Sequence, residues 1–384
     1  MSPVTEDRVF DDELLDDPDE LAAVDVSGLL RAAASAGAQV RSTADAATEA
    51  GLGRLTGEQP RALILITRPG AAAAAAPLLV ALLGPSCQVP VVACEAVPSW
   101  AGALDVVLAH TTDSGDQELA VGVDRALRRG AQMVLTAPPD GPVAAAAAGR
   151  SVLLVPRVDV PPGLVLPRAL AAGLLLLDAL GLRRADLDAL AGELDREAER
   201  CHPGHESFVN PAKSLTLRMV GRTPLLWGTD PMATAVAGHA AASLAAHAGV
   251  VAHAAGWHEA AALPVLRVAA ARGSAEPDVF RDPYLDDGPV GGPPVVRPML
   301  LSVETDPRSA AARRTAVDAL PGADPVTVDE ELMVAATDPA AAACAVAVLA
   351  LRFDLAALYL GLGSGVLGGG VLGGGAFGGA GRFR

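Results

Sequence analysis

Five short apolar runs recur between residues 63 and 155, and none shows the polar alternation of a strand with one wet face. They fall at residues 63–67, 90–94, 105–109, 133–136 and 151–155. A strand that is apolar at successive positions is covered on both faces, which is the condition of a parallel sheet. Helix-forming stretches over 71–83 and 116–129 separate the runs, and another over 167–180 follows the last. Strand, helix, strand at this rhythm implies right-handed crossovers. The pattern returns more loosely with strands expected at 223–228, 250–252, 299–303 and 326–328. An Ala-rich helix over 232–248 and an apolar one over 340–360 accompany them. The expectation is three-layer α/β: doubly wound parallel sheets in two tandem lobes, over 58–195 and 196–360, preceded by a helical arm over 1–57. Residues 183–209, charged and His-rich, read as a connecting helix and linker. Residues 273–298, rich in Pro, Gly and Asp, read as a surface loop, and the Gly-rich tail 361–384 as disordered.

Composition narrows the function. Hydrophobic residues make up 51% of the 384-residue chain but aromatics only 3%, so Ala, Val and Leu must pack the core. The net charge of −16, with no Lys/Arg run, argues against nucleic-acid binding. A small phosphorylated ligand stays compatible with that field, because a local nest of backbone N–H groups holds phosphate. Cys87, Cys94, Cys201 and Cys344 form no Cys-x-x-Cys pair and are expected to be reduced, mostly buried thiols. The N-terminus is acidic rather than basic-then-apolar, and the apolar 340–361 window carries Arg352 and Asp354. The expectation is a cytoplasmic protein with a buried core helix and no membrane span.

The segment Thr111-Thr112-Asp113-Ser114-Gly115-Asp116-Gln117-Glu118 follows the 105–109 strand directly. Hydroxyls and a Gly where a parallel strand turns into a helix suit an anion cradle at a helix N-terminus. An ordinary N-cap by Ser114 or Asp116 fits the same residues, and both readings stand. His239, His247 and His253 read as polar positions of the Ala-rich helix and its sequel. Cys201, His202, His205 and Glu206 offer ligand types, but without a second ligand pair no metal is expected, and no cofactor either. Lys213 follows Asn210-Pro211, a capping residue with Pro at the first helical position. Gly361-Leu362-Gly363-Ser364-Gly365 mimics a dinucleotide pattern but follows a helix rather than a strand.

The 111–118 loop resembles the phosphate loop of sugar-isomerase (SIS) domains, worded Ser-Tyr-Ser-Gly-Asn-Thr-Glu-Glu. The match places Thr112 and Ser114 on its serines, Gly115 on its Gly and Gln117 on its Thr. Further along, Leu166-Pro167-Arg168-Ala169-Leu170 resembles the Pro-Arg opening of that fold's last N-lobe helix. Asn210-Pro211-Ala212-Lys213 with Gly221-Arg222-Thr223-Pro224 is similar to a signature of the bacterial bifunctional phosphoglucose/phosphomannose isomerases, as is Arg352–Leu360 to their C-terminal helix. The resemblance covers about residues 60 to 360. It implies two SIS-type lobes, a homodimer, and a hexose phosphate or related phosphosugar held by Thr112, Ser114, Gly115 and Gln117. Arg168 would stabilise an enediolate and His258 would open the sugar ring.

Two motifs depart from that pattern. The first phosphate loop is represented by Thr67-Arg68-Pro69-Gly70-Ala71, where Ala71 replaces a Ser and Pro69 removes a backbone donor. Leu244-Ala245-Ala246-His247 puts Ala246 at the family's acid/base Glu, with His247 the neighbouring replacement base. Aldose–ketose interconversion needs a base to move a proton between adjacent carbons, and Ala246 has none. The sequence therefore implies a phosphosugar-binding relative of glucose-6-phosphate/mannose-6-phosphate isomerase. Its alternative is a non-catalytic sensor or regulatory partner, a pseudoenzyme.

Overall fold

The computed structural model describes residues 10–273, 295–304, 306–336 and 338–367. Most of the expected 273–298 loop and of the Gly-rich tail lies outside these residues. The N-terminal segment holds α1 (Pro18–Val24), α2 (Leu29–Ala34) and α3 (Ala36–Glu49). The first lobe follows as β1 (Ala62–Ile66), α4 (Ala75–Leu83), β2 (Val91–Cys94), β3 (Asp105–His110), α5 (Gln117–Arg128), β4 (Gln132–Thr136), α6 (Gly141–Ala147), β5 (Val152–Leu154) and α7 (Leu166–Ala179). Two helices, α8 (Leu187–Arg200) and α9 (Pro211–Met219), lead to the second lobe. That lobe begins with β6 (Thr223–Gly228), α10 (Pro231–Ala248), β7 (His253–Gly256), α11 (Trp257–Ala261) and α12 (Pro264–Gly273). It ends with β8 (Val296–Ser302), α13 (Pro307–Ala319), β9 (Asp324–Thr327), α14 (Glu330–Ala335) and α15 (Pro339–Gly363).

Both sheets are wholly parallel, ordered β2-β1-β3-β4-β5 and β7-β6-β8-β9. The unbroken apolar runs have a period-2 explanation. Leu63 and Leu65 of β1 face a core shared by the two lobes, while Ile64 and Ile66 face a separate cluster under α5. In β6, Leu226 joins the shared core and Leu225 and Trp227 join a third cluster with Trp257. The shared core runs from Leu14 to Leu362, so the N-terminal helices belong to it.

α15 is the one described helix long and apolar enough to cross a membrane, and 94% of its apolar window is buried against the rest of the chain. Its two charges are matched. Arg352 Nε and Nη2 donate to Glu197 at 2.5 and 3.2 Å, and Ser243 Oγ donates to Asp354 at 2.7 Å.

Three expectations are corrected. The strand expected at 250–252 forms at His253–Gly256 instead. Gly249, at φ 65, closes α10, and the Val250 N–H donates back to the Leu244 carbonyl, so Val250 serves the helix stop. α15 continues to Gly363 rather than yielding to the tail at 361, because the Asp11 N–H donates to the Gly363 carbonyl at 3.0 Å and Phe10 packs there. Residues 201–206 are a tethered turn rather than a linker: Tyr359 donates to the Cys201 carbonyl at 2.8 Å and Lys213 Nζ to the Pro203 and His205 carbonyls at 2.7 and 2.6 Å. Of the four cysteines, Cys201 and Cys344 are buried and all are free.

Candidate functional site between the lobes

Open parallel sheets bind ligands beyond the carboxyl ends of their strands, where the strand order reverses. Each sheet here has one such reversal, between β1 and β3 in the first and between β6 and β8 in the second. The two are built differently.

At the first, the chain supplies its own ions. Arg68, from the loop after β1, donates to Asp116 at 2.7 and 3.1 Å, to Glu118 at 3.0 Å and to the Glu95 carbonyl at 3.1 Å. The turn's amides are also engaged: Gly115 N–H donates to Asp113 Oδ1 at 2.8 Å, and Leu119 N–H to Asp116 Oδ1 at 2.9 Å. Asp116 is thus the helix cap. Thr112, Gly115 and Gln117 are exposed and Ser114 half-buried, and none of the four lines the large cavity described below. Arg168 is buried and donates to the Val158 carbonyl at 2.5 Å, facing a cavity of about 10 Å³ beside Gln39 and Thr136. Burial lowers its pKa, and burial with the Arg168 charge pushes neighbouring His110 down to about 3, so that imidazole is neutral.

At the second reversal lies a cavity of about 1620 Å³ between the lobes. Its second-lobe wall comes from the strand ends Gly228–Asp230, Gly256–Glu259 and Glu304, and from the helices after them. Its first-lobe wall comes from residues 70–85 and from Pro162 and Gly163. Thr229 Oγ1 lies 2.7 Å from Ser302 Oγ and ties β6 to β8. Asp230 caps α10: Oδ1 accepts Ala233 N–H at 2.8 Å, and Oδ2 accepts Val303 and Glu304 N–H at 2.8 and 3.2 Å. Burial raises its pKa against the lowering effect of those amides. Asp306 caps α13 through Arg308 and Ser309 N–H, and Ser309 Oγ donates to Glu304 at 2.8 Å. Burial first, then the negative charges of Asp230 and Asp306, raises the Glu304 pKa.

The cavity floor is one face of α10, where His239, Ser243 and His247 recur every fourth residue. His239 Nε2 lies 2.8 Å from Asp354 Oδ1, although its ring N–H does not point along that line. His247 is 8% exposed, and its ring packs against the Gly163 backbone, with Nε2 shut off from the cavity. Burial lowers its pKa, with Asp354 and a hydrogen bond to the Gly163 backbone opposing.

Of the residues singled out from sequence, Gly70, Ala71, His239, Ala246, His247 and His258 share this cavity, with the His258 side chain exposed. Arg168 and Thr112–Gln117 sit elsewhere. The sequence reading missed Asp230, Glu304, Asp306 and the Ser243–Asp354 link. One signal was present: Asp-Pro at 230–231 and 306–307, each a cap followed by Pro at the first helical position just after a strand.

No family model matches the chain, and no curated protein does. Solved structures do. The C-terminal domain of glucosamine-fructose-6-phosphate aminotransferase from Francisella tularensis superposes at TM-score 0.55 and 10% identity, over 88% of this chain and 94% of that one. Tagatose-6-phosphate ketose/aldose isomerase from Escherichia coli superposes at 0.55 and 10%, over 87% and 91%. A hypothetical protein from Thermus thermophilus superposes at 0.57 and 14%, over 91% and 89%. At these identities the likeness establishes the fold: this chain folds as two tandem parallel-sheet lobes of the kind found in phosphosugar isomerases.

Proposed function

We propose that the chain binds a phosphorylated sugar in the interlobe cavity and does not interconvert aldose and ketose. The supporting observation is Ala246, which lines the cavity at the position where the resembled isomerases carry their acid/base Glu. A methyl group neither accepts the proton removed from one sugar carbon nor returns it to the next. The first-lobe loop is a poorer ligand site than its hydroxyls suggest, since Arg68 and three carboxylates take up its polar capacity. His258 and Arg308, both exposed on the cavity lining, are the groups offered to a phosphate. Such a protein acts as a sensor or as a regulatory partner of a sugar-phosphate enzyme.

A second reading keeps turnover, with His247 as the replacement base; its place on the cavity lining beside Ala246 favours it. Calorimetry with glucose 6-phosphate and fructose 6-phosphate, beside a coupled isomerisation assay at high protein concentration, separates the two. The expected result is binding without turnover in the native chain and turnover only in Ala246→Glu. Binding is expected to be unchanged in Thr112→Ala/Ser114→Ala. Native turnover that His247→Asn abolishes would establish the isomerase instead, and loss of binding in the loop variant would return the phosphate to residues 112–117.

A further inference from the structure

The first sheet ends in a buried polar junction that stands apart from the interlobe cavity. Gln39 of α3, Thr136 at the end of β4 and Arg168 of α7 line a small cavity of about 10 Å³. All three are more than nine-tenths buried, at 1%, 1% and 7% exposure. Gln39 Nε2 donates to the Leu164 carbonyl at 3.0 Å, which orients the carboxamide, since the flipped amide would set two oxygens against each other. Its Oε1 is thereby left without a hydrogen-bond partner, and so is Thr136 Oγ1. His110 stands beside Thr136 in the β3–β4 register but makes no hydrogen bond to it. Among the described residues, the one acceptor of the Arg168 guanidinium is the Val158 carbonyl at 2.5 Å.

These groups restrict what can sit among them. Buried polar atoms left alone cost free energy, so an occupant that pairs them is favoured. An amide oxygen, a hydroxyl and a cationic donor around one space call for a ligand that both donates and accepts. A halide would meet the guanidinium but face the amide oxygen with no proton to offer, and a metal cation would be repelled by Arg168. A space of about 10 Å³ has room for one water, which needs about two to four polar partners, and three are present.

We propose that this junction is a binding site for a single water molecule, which accepts from Arg168 and donates to Gln39 Oε1 and Thr136 Oγ1. Gln39, Thr136 and Arg168 make no hydrogen bond to one another, so the water is what ties α3 of the N-terminal segment to the first sheet and to α7 at this point. It also holds the guanidinium at the end of the first sheet, away from the lining of the interlobe cavity.

A double-mutant cycle on the full chain tests the bridge. Thr136→Val and Gln39→Met roughly keep side-chain volume, and each removes one partner of the water; the loss of the Gln39–Leu164 bond enters both arms of the cycle and cancels. In urea denaturation each single variant is expected to lower the folding equilibrium constant by about fivefold or more. The double variant is expected to differ from the product of the two by at least about threefold, because both residues act on one water. Crystals of the native chain should show a water within hydrogen-bond distance of Gln39 Oε1, Thr136 Oγ1 and Arg168, and crystals soaked in sodium bromide should show no anomalous peak there. Single effects that simply multiply overturn the bridge. Electron density without a water at that point overturns it whatever the cycle shows, and a bromide peak overturns it in favour of an anion.

Discussion

Glu304 shows how a single residue ties the site to stability. Its pKa is raised above the ordinary 4.5 by burial and by two neighbouring carboxylates. A raised carboxyl holds its proton more tightly folded than unfolded, so its favourable contribution is complete below pH 4.5 and is lost as pH rises through the folded value. Glu304→Gln stays uncharged and keeps an oxygen for the Ser309 hydroxyl. Thermal unfolding should therefore find the variant and the native chain alike at pH 4 and the variant more stable at pH 7; a variant less stable at pH 7 would show that the charged carboxylate is favourable there. Residue identities of this kind were visible in the chain, but their neighbours were not. Asp230, Glu304 and Asp306 are 74 and 2 positions apart in sequence, and only the pairing of β6 with β8 gathers them.

Among the elements, α10 and α15 matter most to the cavity. Their polar residues meet where Ser243 and His239 approach Asp354, and their backbones meet where a Cβ at Gly361 would collide with the His247 carbonyl. Gly361→Ala must push the end of α10 away, and overpacking of this sort costs about 1–3 kcal/mol. Urea denaturation should register that loss; full stability would mean the two backbones have room to part. The helices and most strands were legible because their periods and caps are local. The strand at His253–Gly256 was not: its own residues are His, Ala and Gly, and it is a strand because β6 lies beside it in parallel register.

For the whole molecule, the pair Arg352–Glu197 joins the N-terminal side to the second lobe, linking α8 to α15, with Arg352 Nη1 also donating to the Thr327 carbonyl at 2.8 Å. Both side chains are buried. Arg352→Met leaves the buried Glu197 carboxylate with only the partly exposed Arg200, 3.3 Å away, as a cationic partner, so the loss should fall below the about 3–5 kcal/mol of a fully broken buried pair, and Arg352→Met/Glu197→Leu should recover most of it. Chemical denaturation of the two variants checks this; equal losses in the single and double variants would assign the effect to packing rather than to charge. The shared core explains why the lobes were read as separate units while the chain holds them together. Each lobe repeats one local pattern, but alternate residues of β1 and β6 face the same interior.

The chain alone determined that two parallel sheets form, because runs apolar at every position are stable only when both faces are covered. It also determined which helices begin with Asp-Pro or Asn-Pro caps. Tertiary structure decided which reversal opens onto a large cavity. Both strand reversals carry Gly, hydroxyl and acidic residues, so nothing local distinguishes them. The difference is that Arg68 reaches across three loops and fills the first, while the packing of α10 against α15 leaves the second open between the lobes.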